Sequence, residues 1–335
     1  FKPKNVLNTI YIVMKNILFY LVFIALTVSC NKDDDSNALL PGAQGWHKNQ
    51  TIDVSGTSRN YHMYLPENAT NAPIVLLLHG NRSDKDELMG FTNAKAPYTV
   101  WEDIALQADI ILLVPNGTNG SSGHRGWNDC RNDASGNPDA NDVLFIDNLF
   151  DFVITEHHAD ASKLFAVGTS NGGHMAMRLA QEMPDKLTAF AAIVASNPVN
   201  SQCTNSTLPI SALFINGTED PINPYEGGEM SGDRGEVRSA QQTIDYWVNR
   251  NQTDTTPTVT DLPDTDTNDN CTVKKQLFAN GTNNTEVVFY EIIGGGHTEP
   301  SISERYSNAF KLVVKEQNGD IEMATEVWNF FKGQY

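Results

Sequence analysis

Five residues, Gly168-Thr169-Ser170-Asn171-Gly172, constrain the fold of this chain more than any other stretch. The short apolar run before them, residues 163–167, is typical of a buried strand, and residues 173–180 after them are typical of a helix. A serine flanked by glycines between a strand and a helix is expected on a very tight turn, where backbone strain exposes its hydroxyl. The five-residue pattern alone can arise by chance, so the prediction rests mainly on the strand and the helix that flank it.

Apolar runs alternate with helical patterns along the rest of the chain. We predict edge strands at residues 51–54 and 59–65, central strands at 72–78, 110–115, 189–195, 210–216 and 287–293, and helices at 99–108, 143–157 and 323–332. This alternation predicts an α/β fold with a mostly parallel central sheet flanked by helices.

Two long loops of biased composition interrupt the alternation. Residues 116–141 are rich in Gly, Asn and Asp, and residues 253–270 are rich in Thr and Asp. Long loops in a compact domain are usually either functional or disordered. We expect the first loop to frame a substrate cleft and the second to be a solvated insertion.

The N-terminal region has the pattern of a targeting segment. Residues 17–28 form an uncharged apolar run of the length of a signal-peptide core, too short to span a bilayer. Met14 and Lys15 precede it, so we expect translation to start at Met14. Ser29 precedes Cys30, an arrangement that resembles the lipobox of bacterial lipoproteins, and Cys30 is therefore the predicted lipidation site. An ordinary cleaved signal or a signal anchor is the alternative.

These features divide the chain into three parts. Residues 1–30 are assigned to upstream sequence plus a lipoprotein signal peptide, residues 31–44 to a linker, and residues 45–335 to one folded domain. A lysine followed by three acids at residues 32–35 resembles the surface-export signal of Bacteroidetes lipoproteins, with a solvated tether as the alternative. We therefore expect an exported protein, either an outer-membrane lipoprotein at the cell surface or a secreted one.

Charge and cysteine content narrow the possible partners. With 41 acidic and 23 basic residues the net charge is −18, which disfavours binding to nucleic acid, to an anionic membrane surface or to an acidic polymer. Contact with a membrane is then expected only through a lipid on Cys30, and we expect a monomer.

In an oxidising compartment one disulfide is expected, with Cys203 paired to Cys130 or Cys271. No C-x-x-C or H-x-x-x-H spacing occurs, so we predict neither a metal site nor a cofactor.

Two later strand ends carry the partners that a nucleophilic serine needs. Asp220 follows the strand predicted to end at residue 216, and His297 follows the one predicted to end at residue 293. Acyl transfer by Ser170 needs a base to take its proton and an acid to orient that base, and parallel strands bring their carboxyl ends to one edge of the sheet. We therefore predict Ser170, Asp220 and His297 as the catalytic residues. Glu219 is the rival acid, with a side chain expected to point away.

Other polar and aromatic residues receive supporting roles. Two backbone N–H groups must stabilise the oxyanion, and we assign them to Asn171 and Asn81. Trp127 and Tyr225 are predicted to bind substrate as aromatic walls of the cleft, with core packing as the alternative. The remaining assignments are structural: His79 shapes a loop, His174 packs, Asp142 holds a loop or caps a helix, and His157 and His158 face solvent.

The chain resembles a family of α/β-hydrolases, the esterase/polyhydroxybutyrate depolymerase family, in its feruloyl and acetylxylan esterase group. The resemblance covers residues 45–335 and rests on Leu76-Leu77-Leu78-His79-Gly80, Pro115-Asn116-Gly117, Gly126-Trp127-Asn128, Asp142-Val143 with Phe145-Ile146, Gly168 to Gly173, Gly217 to Asp220 with Pro224 to Gly228, Gly295-Gly296-His297 and Trp328 to Phe331. It implies an α/β-hydrolase fold, Ser170, Asp220 and His297 as catalytic residues, and substrates that are esters of plant cell-wall polysaccharides or polyesters.

Two departures from the family pattern lie near the expected substrate. Glu299 stands where the family often has Trp, and Asn81 stands where a cysteine often follows His-Gly. The expected function is a secreted serine esterase that acts on feruloyl, acetyl or polyhydroxyalkanoate-type esters. The alternatives are an α/β-hydrolase serine peptidase, similar to prolyl oligopeptidase, and a non-catalytic surface lipoprotein that binds glycans.

Overall fold

A ten-stranded sheet runs through the part of the chain that the computed structural model describes, residues 42–92 and 96–335. The predicted signal segment, Cys30 and most of the linker lie outside these residues. The strands are β1 (Gly45–Val54), β2 (Thr57–Leu65), β3 (Ile74–Leu78), β4 (Ile111–Pro115), β5 (Thr118–Asn119), β6 (Arg125–Gly126), β7 (Leu164–Thr169), β8 (Ala189–Ile193), β9 (Ser211–Gly217), β10 (Gly228–Glu229), β11 (Glu236–Val237), β12 (Thr258–Asp261), β13 (Thr272–Phe278) and β14 (Val287–Ile293).

The sheet has the order β1-β2-β4-β3-β7-β8-β9-β14-β13-β12, while β5 pairs with β6 and β10 with β11 in two short hairpins. Its centre, from β4 to β14, is parallel. The antiparallel pairs β1–β2, β2–β4, β13–β14 and β12–β13 lie at its two sides. The prediction of a mostly parallel central sheet is therefore confirmed.

Helices cover both faces of the sheet. They are α1 (Lys85–Leu88), α2 (Val100–Ala108), α3 (Asp142–His157), α4 (Asn171–Glu182), α5 (Ala240–Asn251), α6 (Asn308–Val314) and α7 (Met323–Lys332), with 3₁₀ turns at Pro97–Thr99 and Thr282–Asn284. One buried cluster joins the sheet to α3, α4 and α5, and a second joins it to α2 and α7. In β3, Leu76 and Leu78 belong to the first cluster and Val75 and Leu77 to the second, because successive strand residues face opposite sides. This layered architecture is the α/β-hydrolase fold.

Edge strands are where the structure departs most from the predictions. β1 begins at Gly45 rather than at residue 51, and it contains an irregularity between His47 and Gln50. β13 was not predicted, and residues 253–270, expected to be a solvated insertion, contain the unpredicted edge strand β12. All four residues of β12 are exposed, and a strand with no buried face lacks the period-two hydrophobic pattern.

One disulfide settles the cysteine pairing. Cys130 is bonded to Cys203, which connects the loop before α3 to the segment after β8. Cys271 is a buried free thiol, and burial raises its pKa to about 12. A disulfide of this kind is typical of proteins outside the cytosol. Within the described residues, no helix is long and apolar enough to cross a membrane, and no three or more His, Cys, Asp or Glu residues are grouped to hold a metal.

Candidate active site

Ser170 occupies a strained turn between β7 and α4. Its φ of 53° is rarely adopted by residues other than glycine. Close backbone approaches require glycine on both sides of the serine. A Cβ on Gly168 would lie 2.2 Å from the Gly172 carbonyl oxygen, and a Cβ on Gly172 would lie 2.2 Å from the Leu78 oxygen. The Gly-x-Ser-x-Gly pattern is therefore a packing requirement of this turn.

Asp220 and His297 meet at the same edge of the sheet. They follow β9 and β14, which are parallel neighbours, so their carboxyl ends lie side by side. His297 Nδ1 lies 2.7 Å from Asp220 Oδ2, and Asp220 Oδ1 accepts hydrogen bonds of 2.8 Å from the N–H groups of Ile222 and Asn223. The carboxylate is thus held by three donors and fixes the imidazole. Glu219, the rival acid, is exposed.

A buried glutamate links the serine turn to the histidine loop. Thr169, which precedes Ser170, donates its hydroxyl hydrogen bond to Glu299 Oε1, two residues after His297. Tyr306 donates to Glu299 Oε2 at 2.6 Å. Among the described residues there is no hydrogen bond between Ser170 and His297. The structure therefore joins Asp220 to His297 directly and brings Ser170 to the same edge through the Thr169–Glu299 contact.

The side chain of Asn171 is used to hold the loop that precedes the disulfide. Its Oδ1 accepts from the Trp127 N–H at 2.7 Å, and its Nδ2 donates to the Trp127 oxygen at 3.1 Å and to Asp129 Oδ2 at 2.6 Å. Asn171 is the first residue of α4, so its backbone N–H has no partner inside the helix. The side-chain contacts fix the position of Asn171, and its backbone N–H remains free to donate a hydrogen bond to a ligand.

Asn81 lies beside the turn that holds Ser170. The preceding residue, Gly80, is so close to the serine that an added Cβ would lie 3.6 Å from Ser170 Cβ. In the described structure the Asn81 N–H makes no hydrogen bond. The position of Asn81 and its unpaired N–H are therefore compatible with the predicted oxyanion role.

The two predicted aromatic walls have different positions. Trp127 is 0% exposed, and its indole N–H donates to the His79 carbonyl oxygen at 2.9 Å. Trp127 belongs to the buried core cluster, so its assignment to substrate binding is wrong and the alternative, core packing, is correct. The sequence pattern could not distinguish a cleft from the core. Tyr225 is half-buried, and its hydroxyl donates to Glu291 at 2.8 Å. Burial and this contact raise the pKa of Tyr225, so the phenol stays neutral.

The two other histidines near the serine, His79 predicted to shape a loop and His174 predicted to pack, are both buried. His79 Nε2 accepts from the Gly117 N–H at 3.0 Å, and burial lowers the pKa of His79 to about 4. His174 is 1% exposed, and neither ring nitrogen has a hydrogen-bond partner within the described residues. Burial, and after it the charge of Arg131, lowers the pKa of His174 to about 3. Both imidazoles are therefore neutral at physiological pH.

Sequence reasoning missed an ion pair beside the Asn171 side chain. Arg131 Nη2 lies 2.6 Å from Asp129 Oδ2, the same oxygen that accepts from Asn171. Burial raises the pKa of Asp129, but the Arg131 charge, the electrostatic effect of His174 and the hydrogen bonds from Arg131 together outweigh burial, so the pKa is lowered. Both residues lie in an irregular loop without periodicity, so no pattern indicated them.

Asp142 holds a loop, as one of its two expected roles required. It accepts from Arg59 at 2.7 Å and from the Asn128 N–H at 2.8 Å, and both side chains are buried. The N-cap of α3 is Asn141, whose side chain accepts from the Leu144 N–H. The positive charge of Arg59 compensates the Asp142 carboxylate, which explains how a carboxylate can be buried at the start of α3.

Comparison with known proteins gives the family. The chain is 30% identical to the putative esterase NocK of Nocardia uniformis subsp. tsuyamanensis over 183 residues, which are 52% of this chain and 48% of NocK. It is 30% identical to the probable feruloyl esterase C of Aspergillus niger over 179 residues, which are 52% of this chain and 60% of that protein. The chain thus spans about half to three fifths of these curated relatives.

Among solved structures, the acetyl xylan esterase from Aspergillus awamori matches 79% of this chain and 97% of its own, with 17% identity and a TM-score of 0.48. A family model described as putative esterase matches residues 53–297, from β1 to the histidine after β14. By that match, which covers most of the described domain, the chain belongs to the putative esterase family.

Proposed function

We propose that this protein is a serine esterase that hydrolyses carboxylic esters through an acyl-enzyme. One observation carries the proposal: a serine held at positive φ lies at the same sheet edge as a histidine–aspartate pair with a 2.7 Å contact. A strained serine at a helix N-terminus has no evident packing role, whereas nucleophilic catalysis requires this exposure of the hydroxyl.

In the proposed mechanism Ser170 attacks the ester carbonyl while His297 takes the hydroxyl proton. Asp220 orients the imidazole and stabilises the imidazolium that forms. His297 then returns the proton to the leaving alcohol, and the same residue activates the water that hydrolyses the acyl-enzyme. The missing Ser170–His297 hydrogen bond is compatible with this role, because such contacts often form only when substrate binds.

The oxyanion of each tetrahedral intermediate is assigned to the backbone N–H groups of Asn171 and Asn81. Two features support Asn171: its N–H opens α4, where the helix dipole favours negative charge, and its side chain is fixed by the Trp127 and Asp129 contacts. Gly80 supports Asn81 by its close approach to Ser170. Every step uses groups of a single chain, so we propose that the monomer acts without a cofactor.

The proposed substrates are feruloyl or acetyl esters of plant polysaccharide, or polyhydroxyalkanoate-type polyester. The printed names of the relatives, feruloyl esterase and acetyl xylan esterase, support the first two. We further propose export and anchoring through a lipid on Cys30, supported by the apolar run at residues 17–28 and by the Cys130–Cys203 disulfide. Incorporation of labelled palmitate that is lost in Cys30→Ala would support the anchor.

Replacement of the nucleophile tests the activity. Ser170→Ala is expected to lower kcat for p-nitrophenyl acetate by about 10⁴-fold or more and to abolish labelling by a fluorophosphonate probe. Ser231→Ala, at an exposed serine, is the matched control and should retain full activity. A Ser170→Ala protein that hydrolyses the ester normally would contradict the mechanism, and an unlabelled wild-type protein would favour a glycan-binding function.

A substrate panel then separates the remaining alternatives. Methyl ferulate, acetylated xylan and short polyhydroxybutyrate test the three proposed acyl groups, and a peptide p-nitroanilide tests the peptidase alternative. We expect turnover of at least one ester and none of the anilide. Faster cleavage of the anilide than of every ester would assign the protein to the peptidases.

A further inference from the structure

A cavity of about 270 Å³ lies along α4, starting one helical turn beyond the nucleophile. His174, Met177 and Gln181 line it from successive turns of the helix, and Arg131 and Arg238 line it from other segments. His174 follows Ser170 by four residues, which is about 6 Å along a helix axis. A group bound at the His174 end of the cavity therefore lies within reach of an ester held at Ser170.

Arginine side chains gather at this end of the molecule in spite of its net charge of −18. Besides Arg131 and Arg238 in the cavity wall, Arg234 lies next to Arg131, whose Nη1 donates to the Arg234 carbonyl oxygen at 2.9 Å. Burial, followed by the positive charges of Arg82 and Arg131, lowers the pKa of Arg234. Arg82 directly follows Asn81. Arg82 and Arg131 thus lie close enough to Arg234 for their charges to act on it, and Arg131 shares the cavity wall with Arg238.

Only one of these four arginines has an acidic partner in the described structure. Arg131 is paired with Asp129, whereas Arg82, Arg234 and Arg238 form no salt bridge. Arg234 is half-buried, so its unpaired charge is partly shielded from water as well. Grouped cations that repel one another are unfavourable in the free protein, and an anion is the ligand that would relieve the repulsion.

His174 adds an unpaired donor to the same cavity. Its side chain is buried, and neither ring nitrogen makes a hydrogen bond in the described part of the chain. A buried polar group without a partner is costly, and such groups are rare in folded proteins unless a ligand or water completes them. A neutral imidazole has one N–H donor and one acceptor, so it can donate to an oxygen atom of a ligand.

We propose that this cavity binds a carboxylate group of the substrate, with Arg238 and the N–H of His174 as its donors and with Arg131 in the cavity wall and the more distant Arg234 as further positive charge. This inference rests on the proposed esterase function and narrows its substrates to esters that carry a carboxylate near the scissile bond, such as esters on a uronic acid unit. The net charge does not oppose it, because exposed charges are screened beyond about 8 Å at physiological salt and local contacts decide.

Matched pairs of esters test the proposal. The first pair is an aryl acetate with a carboxylate or a carboxamide on the ring, which places the charge on the alcohol side. The second pair is phenyl hemisuccinate and phenyl succinamate, which places it on the acyl side. In at least one pair we expect kcat/KM to be about tenfold higher or more for the carboxylate, as for a charge-assisted hydrogen bond. The pair that shows the preference identifies the side that enters the cavity.

Variants assign that preference to the cavity. Arg238→Gln is expected to lower the carboxylate-to-carboxamide ratio of kcat/KM about fivefold or more, and Arg234→Gln to lower it less, because Arg234 acts at longer range. Lys332→Gln removes one exposed positive charge from α7, on the opposite face of the sheet, and should leave the ratio unchanged. Raising NaCl from about 0.05 M to about 0.5 M should lower the ratio in the wild type.

The outcomes distinguish a failure of the proposed carboxylate site from a failure of the proposed esterase function. Equal turnover of the charged and uncharged members of both pairs would overturn the carboxylate site and leave the esterase function intact. A preference that survives in Arg238→Gln and Arg234→Gln together would also overturn it. Hydrolysis of none of the four esters would contradict the proposed esterase function and, with it, this inference.

Discussion

His297 and His174 lie at the same edge of the sheet and close to the same serine, yet their surroundings differ. His297 is half-buried and has the Asp220 carboxylate at 2.7 Å. His174 is buried without any hydrogen-bond partner among the described residues, and burial lowers its pKa to about 3. An imidazole beside a fixed carboxylate can accept a proton during a reaction, whereas an enclosed imidazole without one stays neutral. Position near a nucleophile is therefore not enough to make a base.

His79 is an intermediate case that sharpens the comparison. It is as buried as His174, but both ring nitrogens have backbone partners: Nδ1 lies 2.8 Å from the Gly80 oxygen and Nε2 accepts from Gly117. Its partners are neutral, and burial lowers its pKa to about 4. Hydrogen bonds to the backbone thus fix the ring and its tautomer without preparing it to carry charge.

The largest expected effect follows from removing the negative charge of Asp220, which distinguishes the surroundings of His297 from those of His174. Asp220→Asn is expected to lower kcat for p-nitrophenyl acetate by about 10⁴-fold, because the imidazolium loses its counter-charge and the ring its correct tautomer. Steady-state kinetics at pH 7 measure this. Glu219→Gln removes the adjacent, exposed carboxylate and should retain activity. If Glu219→Gln were the damaging change, the acid would be misassigned.

We expect mild acid to lower the free energy of unfolding, because His79 and His174 are buried as neutral imidazoles. Their folded-state pKa values, about 4 for His79 and about 3 for His174, lie below the unfolded value near 6.5. The unfolded chain therefore binds protons first as the pH falls, and stability decreases below pH 6.5. At pH 5 each histidine should cost about 2 kcal/mol of unfolding free energy, relative to pH 7.

Urea unfolding at the two pH values measures this loss, and a variant assigns it. In His174→Leu the decrease between pH 7 and pH 5 should be smaller by about 2 kcal/mol than in the wild type, whatever the variant's stability at pH 7. An unchanged decrease would mean that His174 takes up a proton in the folded protein, and the contrast with His297 would fail.

An effect of similar size is expected from removing the backbone contact of His79 with Gly117. His79→Leu leaves the buried Gly117 N–H without its acceptor, so we expect a loss of about 1–3 kcal/mol in unfolding free energy at pH 7. His158→Asn is the control at an exposed histidine with positive φ, which asparagine tolerates, and should change stability by less than about 0.5 kcal/mol. Equal losses in both variants would show that the Gly117 contact contributes nothing.

The central strands and the candidate catalytic residues were predictable because each has a local signal. Residues 74–78 are continuously apolar, as a strand buried on both faces must be, and Asp220 and His297 directly follow such strands. β12 and β13 lacked this signal because they lie at an edge of the sheet and expose much of their surface.

Residues whose role depends on tertiary contacts were not predictable from local patterns. The pairing of Cys203 with Cys130 depends on how the loop before α3 packs against the segment after β8. Trp127 was misassigned because an aromatic residue in a glycine-rich loop can face a cleft or the core, and only its contact with His79 decides. Asp129, which is paired with Arg131, contacts Asn171 although about forty residues separate them in the chain, so no spacing rule indicates this pair.

The loop closed by the disulfide contains only part of the candidate site, and this affects how the protein withstands proteolysis. Cys130 and Cys203 are 73 residues apart, and the loop they close contains Ser170 and Asn171 but neither Asp220 nor His297. A peptide bond cut inside this loop leaves both fragments covalently joined, so the nucleophile segment stays attached to the molecule. A cut between Cys203 and His297 has no such safeguard, and there the fragments are held together by noncovalent packing alone.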